Sequence, residues 1–225
     1  MTTALNDAPR LGEGLYTFSQ AAHILRSHDP EVTVRKLRYW LTTGLSPVTY
    51  QVDDQPLLTF LDLISLEVVR RFTAAGWSPQ GVRRVEDELR AEFGDLERPF
   101  AYRIFYTDGQ SLWAKKALEG DQVTELVGRK TDRHHKPFAW SPAVETFAEE
   151  IRFEGPNPVA SAWELSPWIE IDPMIQFGKP VVRGTRVPVS TVLANLEAGA
   201  PGEVADWYGL SLKEVQAVRD HHALL

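Results

Sequence analysis

From Leu15 to Gly94 the apolar positions recur every three or four residues, in four runs separated by turn residues. Thr17 stands three residues before Gln20 and ahead of Ala21, Ala22, Ile24 and Leu25, which is the spacing of a reciprocal helix N-cap. Asp29-Pro30 predicts the start of a second helix, with Val34, Leu37 and Leu41 on its inner face and Gly44 closing it in the left-handed conformation. Residues 45–58, with two prolines and Asp53-Asp54, read as a loop or small hairpin. Thr59 and Asp62 open a third helix that aligns Leu61, Ile64, Val68 and Phe72 and ends at Gly76. Ser78-Pro79 caps a fourth through Val82, Val85, Leu89 and Phe93. Helix, short turn, helix, loop and two further helices is a winged helix-turn-helix pattern.

After Gly94 the period changes. Phe100 to Tyr106, Thr107-Asp108-Gly109-Gln110 and Ser111 to Ala114 predict two aromatic strands joined by a tight turn. Gln122 to Val127 and Thr146 to Phe153 are further strand candidates, the second equally compatible with a helix. Tyr102, Phe105 and Trp113 would share a sheet face that serves as core or, at an edge, as a partner or dimer contact. Gly155-Pro156-Asn157-Pro158 reads as a linker. Beyond it Trp168 to Ile171 and Val181 to Val189 are extended runs, set among the turn dipeptides Asp172-Pro173 and Gly178-Lys179-Pro180. Three short helices follow, Ser190 to Ala198, Pro201 to Tyr208 and Ser211 to about Leu224, the last opened by a Ser211–Glu214 box.

The expected fold is therefore α+β, in three parts. Residues 1–94 form a winged helix-turn-helix domain, 95–158 a small central antiparallel β-sheet region for dimerisation or partner contact, and 159–225 a three-helix, helix-turn-helix-like domain.

Composition narrows the classes. The chain has 225 residues, 43% hydrophobic and 24% charged, which is that of an ordinary globular protein. Zero cysteines exclude disulfide scaffolds, cysteine-zinc sites and thiol catalysis. With 24 basic against 31 acidic residues, the net charge of -7 argues against coating nucleic acid through bulk charge but leaves room for a local basic face. Met1 to Arg10 lacks the basic start and apolar stretch of a signal peptide, and no window approaches 18 apolar residues, so a cytoplasmic location without membrane contact is expected.

One basic face lies in the second helix. With Val34, Leu37 and Leu41 turned inward, Thr33, Arg35, Lys36, Arg38 and Tyr39 are left for a partner. An arginine near a helix N-terminus can enter a major groove and donate to guanine, while Lys, Arg and Tyr hold phosphates. A solvated helix face explains the same run. Tyr16-Thr17, Ala21, Leu25, Leu37-Arg38-Tyr39-Trp40, Gly44-Leu45, Pro47, Phe60 to Leu63 and Gly76-Trp77-Ser78-Pro79 together resemble the DNA-binding domain of MerR-type regulators. The resemblance implies DNA contact by Arg35, Arg38 and Tyr39. The chain departs from that family in having Asp53 and Asp54, with no Arg or Lys, in the 50–59 wing, and no long coiled coil after the fourth helix.

The second basic run is Gly178-Lys179-Pro180-Val181-Val182-Arg183-Gly184-Thr185-Arg186-Val187-Pro188-Val189. With Trp168-Ile169, Ile171-Asp172-Pro173, Leu193 and Ala198-Gly199-Ala200, it resembles a small bacterial domain of unknown function assigned to VapB-type antitoxins of type II toxin-antitoxin pairs. The resemblance implies a chain that neutralises a PIN-like ribonuclease toxin, represses its own operon by binding operator DNA, and works as a homodimer or a toxin-antitoxin hetero-oligomer. Lys179, Arg183, Gly184, Thr185 and Arg186 have three readings. The cations reach the acidic site of the toxin, they contact DNA, or Arg183 or Arg186 pairs with Asp172 or Glu170 to pin the extended runs together.

Enzyme readings find little footing. His134-His135 and His221-His222 have no third ligand at metal spacing, Gly178-Lys179 lacks the glycines of a phosphate loop, and the adjacent Glu149-Glu150 do not converge. No cofactor, metal or catalytic residue is expected. Besides the antitoxin, two other functions fit the pattern: a stand-alone transcription regulator whose C-terminal half senses a ligand or protein, and a protein-binding module without DNA contact.

Overall fold

The structure is a computed structural model, and it describes residues 12–45, 50–52, 55–94, 96, 98–107 and 142–222. The fold is α+β, with small antiparallel sheets and several helices. The chain divides into two compact units that alternate along the sequence: Met1–Val32, Tyr50–Phe60 and Ser161–Leu225 make the first, Thr33–Thr49 and Leu61–Ala160 the second.

The first unit contains a three-stranded antiparallel sheet in which β3 (Gln55–Thr59) lies between β1 (Leu15–Tyr16) and β2 (Tyr50–Val52). Leu15 pairs with Thr59, and Tyr50 with Leu57. Helix α1 (Phe18–Arg26) packs on β1 and β3 with Phe18, Ala21, Ala22, Ile24 and Leu25 buried. Its reciprocal cap is as expected: the Gln20 amide donates to Thr17 Oγ1 at 3.2 Å and the Thr17 amide to Gln20 Oε1 at 2.8 Å. Further along, β5 (Val159–Ser166), β6 (Ile169–Ile171) and β7 (Val181–Val182) form an antiparallel ladder that registers Trp163 with Ile171 and Ile169 with Val182. The expected strand at Trp168 to Ile171 is present as β6, whereas of the extended run expected over Val181 to Val189 only Val181–Val182 is strand, the chain then reversing on itself because the Val182 amide and carbonyl bond back to Val187 and Thr185. Helices α7 (Val189–Leu196), α8 (Pro201–Tyr208) and α9 (Leu212–His222) complete the unit and pack on one another, with Val192, Val204, Ala205, Val215 and Val218 buried. Gly209 ends α8 in the left-handed conformation (φ +64°), and the Ser211–Glu214 box opens α9.

The second unit holds helices α2 (Val34–Thr43), α3 (Phe60–Ala74, entering from the first unit), α4 (Pro79–Phe93), α5 (Arg103–Thr107) and α6 (Pro142–Glu150), followed by β4 (Ile151–Glu154) and the first residues of β5. Ser78 caps α4 by accepting from the Gly81 amide, with Pro79 as its first residue. The core is aromatic: Phe72 lies 4.6 Å from Trp77, Phe100 4.9 Å from Phe105 and Phe105 4.7 Å from Tyr106, ring centre to ring centre. Buried ion pairs sit beside it. Glu67 accepts from Arg70 and Arg71, Arg71 reaches Glu150 at 2.9 Å and lies over the Phe147 ring, and Arg98 pairs with Asp62.

Three further expectations change, and a segment open between strand and helix takes both forms. Asp29-Pro30 does not open α2: Asp29 caps a turn, accepting from the Glu31 amide on its side chain and from the Val32 amide on its carbonyl. Thr33 is the N-cap instead. Gly44 ends α2 with φ -109°, right-handed; it is there for space, since a Cβ would stand 2.9 Å from the Trp40 carbonyl oxygen. Phe100 to Tyr106 is a 3-10 turn (Pro99–Ala101) followed by α5, not a strand. The buried pairs Phe100-Ala101 and Phe105-Tyr106 both face one core, with the Tyr106 hydroxyl donating to the Phe100 carbonyl at 3.0 Å, a pattern that strict alternation cannot produce. Packing overrides the strand preference of aromatic residues here. Thr146 to Phe153 resolves as the end of α6 running into β4. The Asp108-Gly109 turn, Trp113, Ser111 to Ala114, Gln122 to Val127 and His134-His135 lie outside the described residues.

Candidate functional site

Helix α2 carries the first basic face. Leu37, Trp40 and Leu41 are buried, while Thr33, Arg35, Arg38 and Tyr39 are exposed, Tyr39 to 50%. Leu37 and Leu41 of the expected inner face are buried, Val34 at the helix start is only half-buried, and Trp40 is an added core residue. Thr33 Oγ1 accepts from the Lys36 amide at 3.1 Å, so Thr33 fixes the helix start rather than standing free. Lys36 is half-buried, with Nζ 5.2 Å from the centre of the Trp40 ring, and so spends part of its reach on the helix itself. No acid lies between Val34 and Thr43, and other arginines of this unit are matched to acids: Arg70, Arg71, Arg83, Arg90 and Arg98 all pair with Glu or Asp. The outer side of α2 thus carries Arg35, Lys36 and Arg38 with no acid in the helix itself.

The second basic run folds as a tight reversal in the first unit. The Val182 amide donates to the Val187 carbonyl at 2.9 Å, Thr185 returns both its amide and its hydroxyl to the Val182 carbonyl, and the Val187 amide donates to Thr185 Oγ1. Gly184 at its tip has φ +74°. Glu164 and Glu170 face each other across β5 and β6 and clasp this reversal: Glu164 accepts from the Arg183 guanidinium at 2.5 Å, and the buried Glu170 accepts from the Gly184 amide at 2.9 Å. Arg183 is thus held by Glu164, a partner no spacing rule indicated, instead of by Asp172 or Glu170. Gly184 and Thr185 build the turn. Lys179 and Arg186 are exposed, and the Arg186 carbonyl accepts from Gln176 Nε2 at 3.1 Å.

Next to the reversal is a turn that the sequence reading did not single out as a site. Gln176, Phe177 and Gly178 have φ of 50°, 57° and 80°, three left-handed residues in succession. Phe177 is 76% exposed and Met174 65%. Tyr16, buried on β1, donates its hydroxyl to the Gly178 carbonyl at 2.8 Å; burial first, then the negative charge of Asp172, holds its phenol well above the ordinary tyrosine range. Nothing in periodicity points to this turn, because left-handed backbone is expected at glycine and not at phenylalanine.

Among the described residues no group of three or more His, Asp or Glu is placed to hold a metal ion, and no helix is long and apolar enough to cross a membrane. Glu150 is engaged with Arg71 at 2.9 Å.

Three comparisons bear on this chain. Residues 169–220, which span β6, the reversal and α7 to α9, match the family model "Protein of unknown function (DUF433)". The "Putative antitoxin VapB45" of Mycobacterium tuberculosis is 29% identical over 171 residues, covering 72% of this chain and 70% of that protein. The X-ray crystal structure of Rv2018 from the same organism superposes with a TM-score of 0.72 at 25% identity, over 94% of this chain and all of the other, so the chain is similar to an antitoxin-named protein in sequence and to a mycobacterial protein in fold.

Proposed function

We propose that the chain is the antitoxin of a type II toxin-antitoxin pair, a non-catalytic cytoplasmic protein that binds and neutralises a PIN-like ribonuclease and represses its own operon on DNA. The observation that carries this reading is the similarity to a putative VapB antitoxin across 72% of the chain, well beyond the C-terminal family match. In this reading residues 1–94 are a MerR-like winged helix-turn-helix, with Arg35, Arg38 and Tyr39 of α2 toward operator DNA and Thr33 and Lys36 supporting that helix. Residues 95–158 join two copies or meet the toxin, and 159–225 hold the toxin through Lys179 and the reversal Arg183-Gly184-Thr185-Arg186. A dimer would place two α2 helices about one helical turn of DNA apart.

Two measurements test it. Co-expression with the product of the neighbouring reading frame should restore growth that this product alone arrests, and Arg183→Glu with Arg186→Glu should impair the rescue. A gel-shift titration with the chain's own promoter should show binding at low salt that Arg35→Glu with Arg38→Glu abolishes. Absence of any shift, with and without toxin, removes the repressor role, and a neighbouring product without growth arrest removes the antitoxin role.

A further inference from the structure

Among the described residues, Gln176 and Phe177 are the two non-glycine residues at positive φ. Such backbone persists only where the surroundings over-determine it. Here they do. The Ile175 amide is held by the Asp172 carbonyl at 2.9 Å and the Met174 amide by Asp172 Oδ1 at 2.8 Å. Gln176 is tied to the reversal through the Arg186 carbonyl, and Gly178 to Tyr16 through its own. The tethers do not cover the phenylalanine. They hold its ring out in solvent beside Met174, on a surface depression lined by Gly12, Pro173, Gln176 and Arg186 as well.

We propose that this turn is the anchor by which the chain grips its protein partner: Phe177, flanked by Met174, enters an apolar pocket whose rim carries carboxylates for Arg186 and Lys179. The proposal rests on the antitoxin reading and deepens it, moving the apolar part of the toxin contact to residues 174–179. Rigid, protruding aromatic side chains are the usual centres of interfaces, because little freedom is lost when they dock. Arg186 lining the depression and the exposed Lys179 two residues after Phe177, on a chain of net charge -7, give the complementary rim a negative sign. A nucleic-acid strand would stack on the ring but would leave the methionine unrewarded, so the pair fits a protein pocket.

The test uses the full chain and, as probe, the purified product of the neighbouring reading frame in a calorimetric titration. Phe177→Asn keeps a residue that tolerates left-handed backbone. It should weaken binding by about 30-fold or more, while the melting temperature stays level or rises because an exposed ring is lost and strain is eased. Met174→Ser and Arg186→Glu should each weaken binding with an unchanged melting temperature. Binding within about 2-fold of the parent for Phe177→Asn overturns the anchor and leaves the antitoxin reading standing. If the parent chain itself does not bind the neighbour, that reading fails and the anchor falls with it. If Phe177→Asn instead turns a dimer into a monomer in light scattering, or abolishes binding of a labelled single-stranded oligonucleotide, with neighbour binding intact, the occupant is a second copy or nucleic acid and the proposal is overturned.

Discussion

Two glycines near the basic reversal have positive φ for different reasons, and alanine separates them. At Gly184 (φ +74°) a Cβ meets nothing within 4 Å, whereas at Gly178 (φ +80°) it would lie 2.3 Å from the Tyr16 hydroxyl. Gly184→Ala should therefore lower unfolding stability by about 1–2 kcal/mol, the left-handed penalty alone, and Gly178→Ala by about 3 kcal/mol or more in urea unfolding. Tyr16→Phe removes both the hydroxyl and its bond to Gly178, so its effect should combine less than additively with Gly178→Ala. Tyr16 also gives the molecule an alkaline edge, together with Tyr106, whose phenol burial raises far above its ordinary range while Arg71 opposes and Glu67 and Glu150 add to the rise. Both folded values lie above the unfolded one near 10. Their stability contribution is therefore whole below about pH 10 and lost above it, at about 1.4 kcal/mol per pH unit for each tyrosine. Urea midpoints measured from pH 8 to 11.5 should be flat and then fall, with a shallower fall in Tyr16→Phe.

At the scale of elements, caps were the most legible feature. Thr17-Gln20, Ser78-Pro79 and Ser211-Glu214 each mark a helix start that the structure contains, because a cap is a bond between residues two or three apart and needs no tertiary partner. Ser211→Ala should cost about 1 kcal/mol, read as a lower thermal midpoint. Asp29-Pro30 misled because the same side chain caps turns as readily as helices. The strand expected at Phe100 failed for the opposite reason, since a run of aromatics takes whichever periodicity its core offers, and here that core comes from α3 and α6 through Phe72 and Phe147. For the candidate site, the cation positions were legible and the partner of Arg183 was not. Glu164 lies 19 residues away on β5. Because that pair is partly exposed, Arg183→Gln should change stability by less than about 1 kcal/mol, so a larger loss of toxin rescue in this variant would report contact with the partner.

At the scale of the molecule, charge is sorted. The acids outnumber the bases, yet neither α2 nor the 179–186 run contains an acid of its own, and Arg183 of that run takes its carboxylate, Glu164, from β5. In the proposed repressor, promoter affinity should fall steeply with salt, with a log–log slope of about 0.9 for each phosphate neutralised. Arg35→Gln should shallow that slope by about one unit per helix engaged, as measured by anisotropy from 50 to 200 mM salt.

The sequence by itself determined what acts over a few residues: the helix caps of α1, α4 and α9, Leu37 and Leu41 on the inner face of α2, the strand at Ile169, and the two short basic segments. These follow from periodicity and local hydrogen bonding, which are written in order along the chain. The tertiary structure alone decided that residues 50–60 and 161–225 share a unit with the N-terminal segment, that Glu164 and Glu170 clasp the Arg183-Gly184 turn, and that Tyr16 and Arg186 tether the turn that presents Phe177. Each of those depends on groups far apart in sequence, up to 162 residues for Tyr16 and Gly178, and a pattern read over neighbouring positions has no information about which distant atoms will be brought to hydrogen-bonding distance.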